Sequence, residues 1–120
     1  MIVFRSTNGQ IFICSQCRKI HLEFGNFTID FAEETQLVNF QNHLKKLDGQ
    51  YYTDLNQQSA YRRKIMVPTP GSGMKMLFTL NELDEIRQLI SRFLNRHKRE
   101  LVQISRIEFD FNTFTPKHLN

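Results

Sequence analysis

Two cysteines and a histidine stand close together near the start of the chain, in the stretch FICSQCRKIHLEF. Two residues separate Cys14 from Cys17, and His21 follows four positions later. A turn that carries both cysteines lets two thiolates bind one ion, and imidazole is a common zinc ligand. These three residues are therefore the candidate metal ligands, and zinc is the candidate cofactor.

The number of ligands leaves the zinc hypothesis open. A structural zinc ion takes four ligands in a tetrahedron, and the chain has no second CxxC pair. A site within one chain would recruit a histidine, of which His21 is nearest, although strand alternation leaves the direction of its ring open. Two copies of the chain that pool Cys14 and Cys17 would instead form a four-thiolate site.

Two other interpretations of the cysteine pair stand beside zinc. Redox pairs of the thioredoxin type lie at a helix N-terminus, whose N–H groups lower the thiol pKa, whereas here a strand is predicted after Cys17. Alternatively, both cysteines are partly buried and act as small apolar side chains. Because the ligand count falls short, the sequence favours this last interpretation narrowly over zinc, and it favours a redox role least.

Basic and aromatic residues form two groups in the second half of the chain. Residues 1–60 carry five Lys/Arg and six Asp/Glu, and residues 61–120 carry eleven and six, so the net charges are −1 and +5. Cations bind phosphates and aromatic rings stack on bases, so these groups together predict binding of RNA or single-stranded DNA as an alternative function. The candidate residues are a first basic group, Tyr61, Arg62, Arg63 and Lys64, and a second basic group, Arg92, Arg96, Lys98 and Arg99. The later cations also have a structural explanation, because they complement the dipole at a helix C-terminus.

No set of residues has the pattern of an enzyme active site. Acyl transfer requires a nucleophile, a base and an oxyanion hole, and no serine stands in a nucleophile-elbow pattern. The glycines around Ser72 lack the Lys-Ser/Thr ending of a phosphate-binding loop. We therefore expect a non-catalytic binding or adaptor domain. Eleven phenylalanines exceed the needs of a small core, so an apolar surface for another protein or for a homodimer is expected.

The spacing of apolar residues predicts the elements that position these groups. Alternation predicts strands, with tight turns at Asn8-Gly9 and Gly25-Asn26. The predicted strands cover residues 2–4, 11–13, 20–24, 27–29, 64–67, 74–78 and 104–111.

Helical spacing follows two of the predicted strand pairs. Asp30 with Glu33, and Thr79 with Glu82, have the form of capping boxes, and Gly49 stands where the first helix needs its C-terminal cap. The order strand–strand–helix predicts a degenerate ββα unit used twice. Hairpins pair antiparallel, and two helices cover only one face of a sheet. The predicted fold is a two-layer α+β domain, with an antiparallel sheet and two helices on one face.

Three stretches resemble a small bacterial family of unknown function. They are the strand–CxxC–strand opening, the segment IHLEFGN that continues it, and YRRKIMVPTPGSGMKMLFTLNELDEIRQLI. The family pattern contains a K/R-R-K-I-x-V-P-T run, and Met66 stands where a proline is expected. The resemblance covers roughly residues 10–95 in order. It implies where the domain lies, and it implies no activity.

Length and composition bound the remaining possibilities. At 120 residues we expect one domain, over residues 1–113, with a loosely held tail at 114–120. No apolar run reaches the roughly 18 residues of a membrane span, and no signal-peptide pattern is present. A disulfide between two cysteines so close together would not hold a whole domain together. The expected location is therefore the reducing cytoplasm.

Overall fold

The computed structural model of the protein describes residues 3–68 and 73–96. The strands are β1 (Val3–Arg5), β2 (Gly9–Ile13), β3 (Ile20–Phe24), β4 (Phe27–Phe31), β5 (Ile65–Pro68) and β6 (Lys75–Phe78). The helices are α1 (Glu34–Lys45), α2 (Gly49–Leu55) and α3 (80–96). The predicted strand at 104–111 and the predicted tail at 114–120 lie outside the described residues.

Antiparallel pairing joins the strands into two sheets. Four strands form a meander in the order β1-β2-β3-β4, and β5 pairs with β6 in a separate hairpin. The α+β class and the antiparallel pairing are thus confirmed. The predicted order of hairpin then helix also occurs twice, as β3-β4-α1 and β5-β6-α3. The division into two sheets and the helix α2 were not predicted.

The core lies between one face of the meander and the helices α1 and α3. The rings of Phe4 on β1 and Phe93 on α3 have centroids 6.2 Å apart, and Phe31 on β4 lies 5.7 Å from Phe40 on α1. Both helices therefore pack against the same face, as predicted. Among the described residues, the buried core comprises Ile11, Ile20, Leu22, Phe24, Phe31, Leu37, Leu44, Ile65, Val67, Phe78, Leu83, Ile86, Leu89, Ile90, Phe93 and Leu94.

The opposite face of the meander is largely polar. Arg5 donates to Gln10 at 3.2 Å, and Gln10 donates to Glu23 at 2.7 Å, so one hydrogen-bonded row crosses three strands. Phe12 is the large apolar side chain of the next row, and it is half-buried against His21.

In the part of the chain that the structure describes, no helix has the length and apolar character needed to cross a bilayer.

Two predicted glycine roles are wrong. Gly9 does not form the first turn but begins β2, where a Cβ would clash with the Glu23 carbonyl oxygen. Its missing side chain allows the close approach of β3 rather than a positive φ. Gly49 does not end α1. It begins α2, and the Asp48 carboxylate caps that helix by accepting from the Tyr51 N–H at 3.0 Å.

The two predicted capping boxes have different outcomes. The Thr79 hydroxyl accepts from the Glu82 N–H at 3.1 Å, and Glu82 accepts from the Thr79 N–H at 2.8 Å, which confirms the second box. The first box is wrong, because β4 continues through Asp30 to the buried Phe31. Helix α1 begins only at Glu34, with Glu33 as its N-cap.

Candidate metal centre

Cys14 and Cys17 lie on a tight turn between β2 and β3. The Cys14 N–H donates to the Lys19 carbonyl at 3.0 Å, and the Arg18 N–H donates to the Cys14 carbonyl at 3.0 Å. Arg18 adopts the left-handed conformation, with φ of 59°, which reverses the chain within this short loop. The predicted position at a β-turn, away from any helix N-terminus, is thereby confirmed.

The turn and the following strand bring three ligand atoms together. The Sγ atoms of Cys14 and Cys17 and a ring nitrogen of His21 all lie within 4.8 Å of one another. His21 Nε2 is 3.2 Å from the Cys17 sulfur. The alternation of β3 therefore directs the imidazole toward the turn, and the three residues form a group that could hold a metal ion.

Asp30 holds the His21 ring from the other side. His21 on β3 lies directly opposite Asp30 on β4, and its Nδ1 is 2.6 Å from the Asp30 Oδ1. The ring of Phe12, opposite His21 on β2, packs against the imidazole with centroids 5.3 Å apart. A carboxylate on the second ring nitrogen of a histidine is the usual arrangement behind a metal ligand, because it fixes the orientation of the ring.

Sequence reasoning missed this role of Asp30, although a signal for it existed. The two-residue turn Gly25-Asn26 pairs Phe24 with Phe27. Each step back along β3 then matches a step forward along β4, which sets His21 opposite Asp30. The apparent capping box drew Asp30 into the helix instead.

Hydrogen bonds shift the protonation of the group. The Cys17 N–H donates to the Cys14 sulfur at 3.4 Å, and this bond, with further hydrogen bonds from Cys17, Gln16 and His21, lowers the pKa of Cys14 to about 6 against the effect of burial. The Asp30 carboxylate, followed by Cys17, raises the pKa of His21 to about 9. At neutral pH without metal, a thiolate therefore lies beside an imidazolium, and a metal ion would take the place of the proton on Nε2.

One ligand-atom spacing in this group can be compared with that around a tetrahedral zinc ion. With Zn–S and Zn–N bonds of about 2.3 and 2.0–2.1 Å, neighbouring ligand atoms of a tetrahedron are roughly 3.5–3.8 Å apart. The distance of 3.2 Å from the Cys17 sulfur to His21 Nε2 is close to this range. Two thiolates and an imidazole suit zinc better than magnesium or calcium, which prefer oxygen ligands.

The geometry also bears on the two other interpretations of the cysteine pair, which are apolar packing and a redox role. Cys17 is exposed and Cys14 is half-buried, so the pair is not packed as small apolar side chains. No helix end points at Cys14, as predicted, but hydrogen bonds from the N–H groups of Cys17 and Gln16 lower the pKa of its thiol.

The first basic group makes contacts within the protein. Arg63 donates to both oxygens of Glu82, at 2.8 and 3.0 Å, and the Lys64 ammonium donates to the Ser59 carbonyl at 2.8 Å. Tyr61 and Arg62 are exposed. Two of the four candidate residues thus have structural roles, which weakens the nucleic-acid hypothesis without testing it.

The second basic group is described only in part. The Arg92 guanidinium lies over the Phe4 ring, 5.5 Å from its centroid, and donates to the Arg5 carbonyl at 3.4 Å. Arg96 is exposed on the last described turn of α3. Lys98 and Arg99 lie outside the described residues.

Comparison with known proteins identifies the family to which the sequence belongs. Neither a search of curated proteins nor a search of solved structures found a match. One family model matches residues 1–113, nearly the whole chain. The matched range includes the CxxC turn, His21 and Asp30. The chain therefore belongs to DUF6686, a family of unknown function.

Proposed function

We propose that this protein is a zinc-binding, non-catalytic domain, in which Cys14, Cys17 and His21 hold the ion. One observation carries the proposal: the two sulfur atoms and a ring nitrogen lie within 4.8 Å of one another on a single turn and its following strand. The hydrogen bond from His21 to Asp30 supports it, because it leaves Nε2 as the nitrogen directed at the cysteines.

The position of the three ligands favours a structural ion over a catalytic one. A groove of about 1070 Å³ lies between β4 and β6, and none of the three ligands lines it. The ion would instead connect the β2–β3 turn to strands β3 and β4 through His21 and Asp30. Because metal binding adds directly to folding free energy, it would stabilise this end of the meander.

The fourth coordination position gives the domain a way to bind a partner. Cys17 is exposed, so the ion would lie at the surface, open to water or to a donor atom from another protein or a second copy. Because a donor atom of a partner could occupy this position, the biological role is that of a protein-binding or homodimeric adaptor. The proposal requires reduced thiols, which the cytoplasm maintains.

Metal stoichiometry of the full chain tests the proposal. The protein is loaded with one equivalent of zinc, dialysed, and examined by native mass spectrometry. We expect one zinc per chain in the wild type and loss of zinc in Cys14→Ser and in His21→Ala. His43→Ala is the matched control and should keep its zinc. His43 is exposed on α1, and among residues 3–68 and 73–96 it belongs to no group of metal ligands.

Two results would overturn this assignment. A wild type that retains no zinc ends the metal proposal. Zinc retained by His21→Ala at one ion per two chains would mean that two copies pool four thiolates and that His21 is not a ligand.

A further inference from the structure

The two cysteine sulfurs lie close enough to bond to each other after a small movement. Both stand on one turn, and their Sγ atoms are within 4.8 Å. The Cys17 N–H donates to the Cys14 sulfur at 3.4 Å, so the Cys14 side chain is directed toward Cys17. A disulfide bond is about 2.0 Å long, so the sulfurs would have to approach by at most about 3 Å. Rotation of a cysteine side chain between staggered positions moves its sulfur by a similar distance.

The turn is open to a reagent from solvent. Residues 15–19 are all exposed, and they include Cys17 and the cations Arg18 and Lys19. Thiol–disulfide exchange requires access to a cysteine sulfur, which Cys17 provides. The two cations beside it would attract a negatively charged reagent. The turn therefore suits reaction with a disulfide that is small and anionic.

We propose that a small anionic disulfide, such as oxidised glutathione, converts Cys14 and Cys17 into an internal disulfide and thereby releases the zinc ion. This inference rests on the proposed zinc site, whose regulation it describes. Each chain reacts once and then requires a reductant, so the step is a reversible modification and not a catalytic activity.

The chemistry consists of two exchanges. One cysteine sulfur attacks the reagent and forms a mixed disulfide, and one half of the reagent leaves as a thiolate. The other cysteine sulfur then attacks the first, which forms the Cys14–Cys17 bond and expels the second half as a thiolate. The cysteines lose two electrons and the reagent gains them, whereas the zinc ion stays Zn²⁺. Because zinc binds thiolates and not a disulfide, it loses two of its three proposed ligands.

The rest of the site would survive this oxidation. His21 is held by Asp30 at 2.6 Å and packs against the Phe12 ring, and neither contact involves a cysteine. Beneath the turn, Ile13 of β2 pairs with Ile20 of β3. An exposed disulfide is one that reductants break readily. A reductant would therefore restore the two thiolates beside an imidazole that is already in place.

Zinc release from the full chain tests the proposal. Protein loaded with one equivalent of zinc and dialysed is checked for bound zinc by native mass spectrometry, then treated with oxidised glutathione beside a chromophoric zinc indicator. We expect loss of one zinc per chain, a mass lower than that of the reduced chain by two hydrogen atoms, and renewed zinc binding after dithiothreitol and fresh zinc. Reduced glutathione at the same concentration is the control, because it cannot oxidise the cysteines, and it should leave the zinc bound.

The outcomes separate this inference from the zinc proposal. A chain that holds no zinc before treatment overturns both. Zinc that stays bound in oxidised glutathione, or that leaves while only mixed disulfides form, overturns the redox inference and leaves the zinc site intact.

Two variants test the steps separately. Cys14→Ser should stop at a mixed disulfide with one glutathione on Cys17, and a chain that remains unmodified would contradict the proposed access. Arg18→Gln with Lys19→Gln should slow zinc release by oxidised glutathione about 3- to 10-fold, and should change release by the uncharged 2-hydroxyethyl disulfide less than about twofold. Equal rates of the wild type and this charge variant in oxidised glutathione would contradict the preference for an anionic reagent.

Discussion

At the scale of single residues, the geometry gives Asp30 a positioning role. Its carboxylate is 2.6 Å from His21 Nδ1, on the side of the ring away from the cysteines. The Asp30 side chain would not coordinate the metal itself, yet it fixes the orientation of the His21 ring. Its effect should therefore appear in the affinity for the metal and leave the number of bound ions unchanged.

Asp30→Asn should weaken zinc binding about 10- to 100-fold, because an amide supports the imidazole less strongly than a carboxylate does. Competition with a chromophoric chelator measures the affinity. Asp54→Asn is the control, since Asp54 accepts a hydrogen bond from Gln50 on α2 and should leave zinc affinity unchanged. An Asp30→Asn protein with wild-type affinity would show that the His21–Asp30 contact does not serve the metal.

At the scale of the elements, Arg87 connects the two long helices. From α3 its guanidinium donates to the carbonyls of Leu44 and Leu47, at the C-terminal end of α1. The Leu44 carbonyl also accepts from the Leu47 N–H at 3.3 Å. A cation at this end of α1 complements the helix dipole. A second link joins the helices midway, where Gln41 donates to Ser91 at 3.0 Å.

Arg87→Met should lower the free energy of unfolding by about 1.5–3 kcal/mol, because it removes charge-assisted hydrogen bonds at a half-buried site and keeps the aliphatic stem. Urea denaturation followed by circular dichroism measures the change. Arg62→Met provides the comparison, since Arg62 is exposed and its loss should cost less than about 0.5 kcal/mol. Similar effects of the two substitutions would contradict the role given to Arg87.

Local sequence signals predicted some elements and misled for others. Thr79 and Glu82 formed the expected capping box because a strand ends just before them, at Phe78. The same pattern at Asp30 failed, since pairing with β3 and burial of Phe31 keep that segment extended. Tertiary contacts thus overrode a local preference worth about 1 kcal/mol.

Helix α2 shows a different limit of sequence reasoning. Residues 50–61 have no clear helical period, because a seven-residue helix offers too few apolar positions to display one. Its N-cap Asp48 was the available signal, and it was hidden by the expectation that Gly49 ends the preceding helix.

At the scale of the whole molecule, two carboxylates of α3 accept hydrogen bonds from segments that are distant in sequence. Glu82 binds Arg63, just before β5, and this bond lowers the pKa of Glu82. Glu85 accepts from Ser6 and Asn8 in the β1–β2 turn. Burial raises the pKa of Glu85, but these hydrogen bonds outweigh it and the net pKa is lowered.

Stability should therefore fall in acid. A carboxylate with a lowered folded-state pKa stabilises the fold fully above its ordinary value of 4.5, and that contribution is lost as pH falls through the folded-state value. Urea midpoints measured between about pH 5.5 and about pH 3 should decline, and less steeply in Glu82→Gln with Glu85→Gln. Equal declines in the two proteins would contradict these assignments.

The candidate site was predictable in its members but not in its geometry. Cys14, Cys17 and His21 follow from their types and spacing, whereas the direction of the His21 ring depends on pairing with Asp30 across the sheet. The basic groups show the converse. Their composition suggested one surface, yet Arg63 and Lys64 have partners within the fold.

X-ray absorption spectroscopy of the zinc-loaded full chain tests the central claim most directly. The account predicts two sulfur ligands at about 2.3 Å, one imidazole nitrogen at about 2.0–2.1 Å and one further donor. The imidazole signal should disappear in His21→Ala. A shell of four sulfur atoms, or one with no sulfur, would contradict the account.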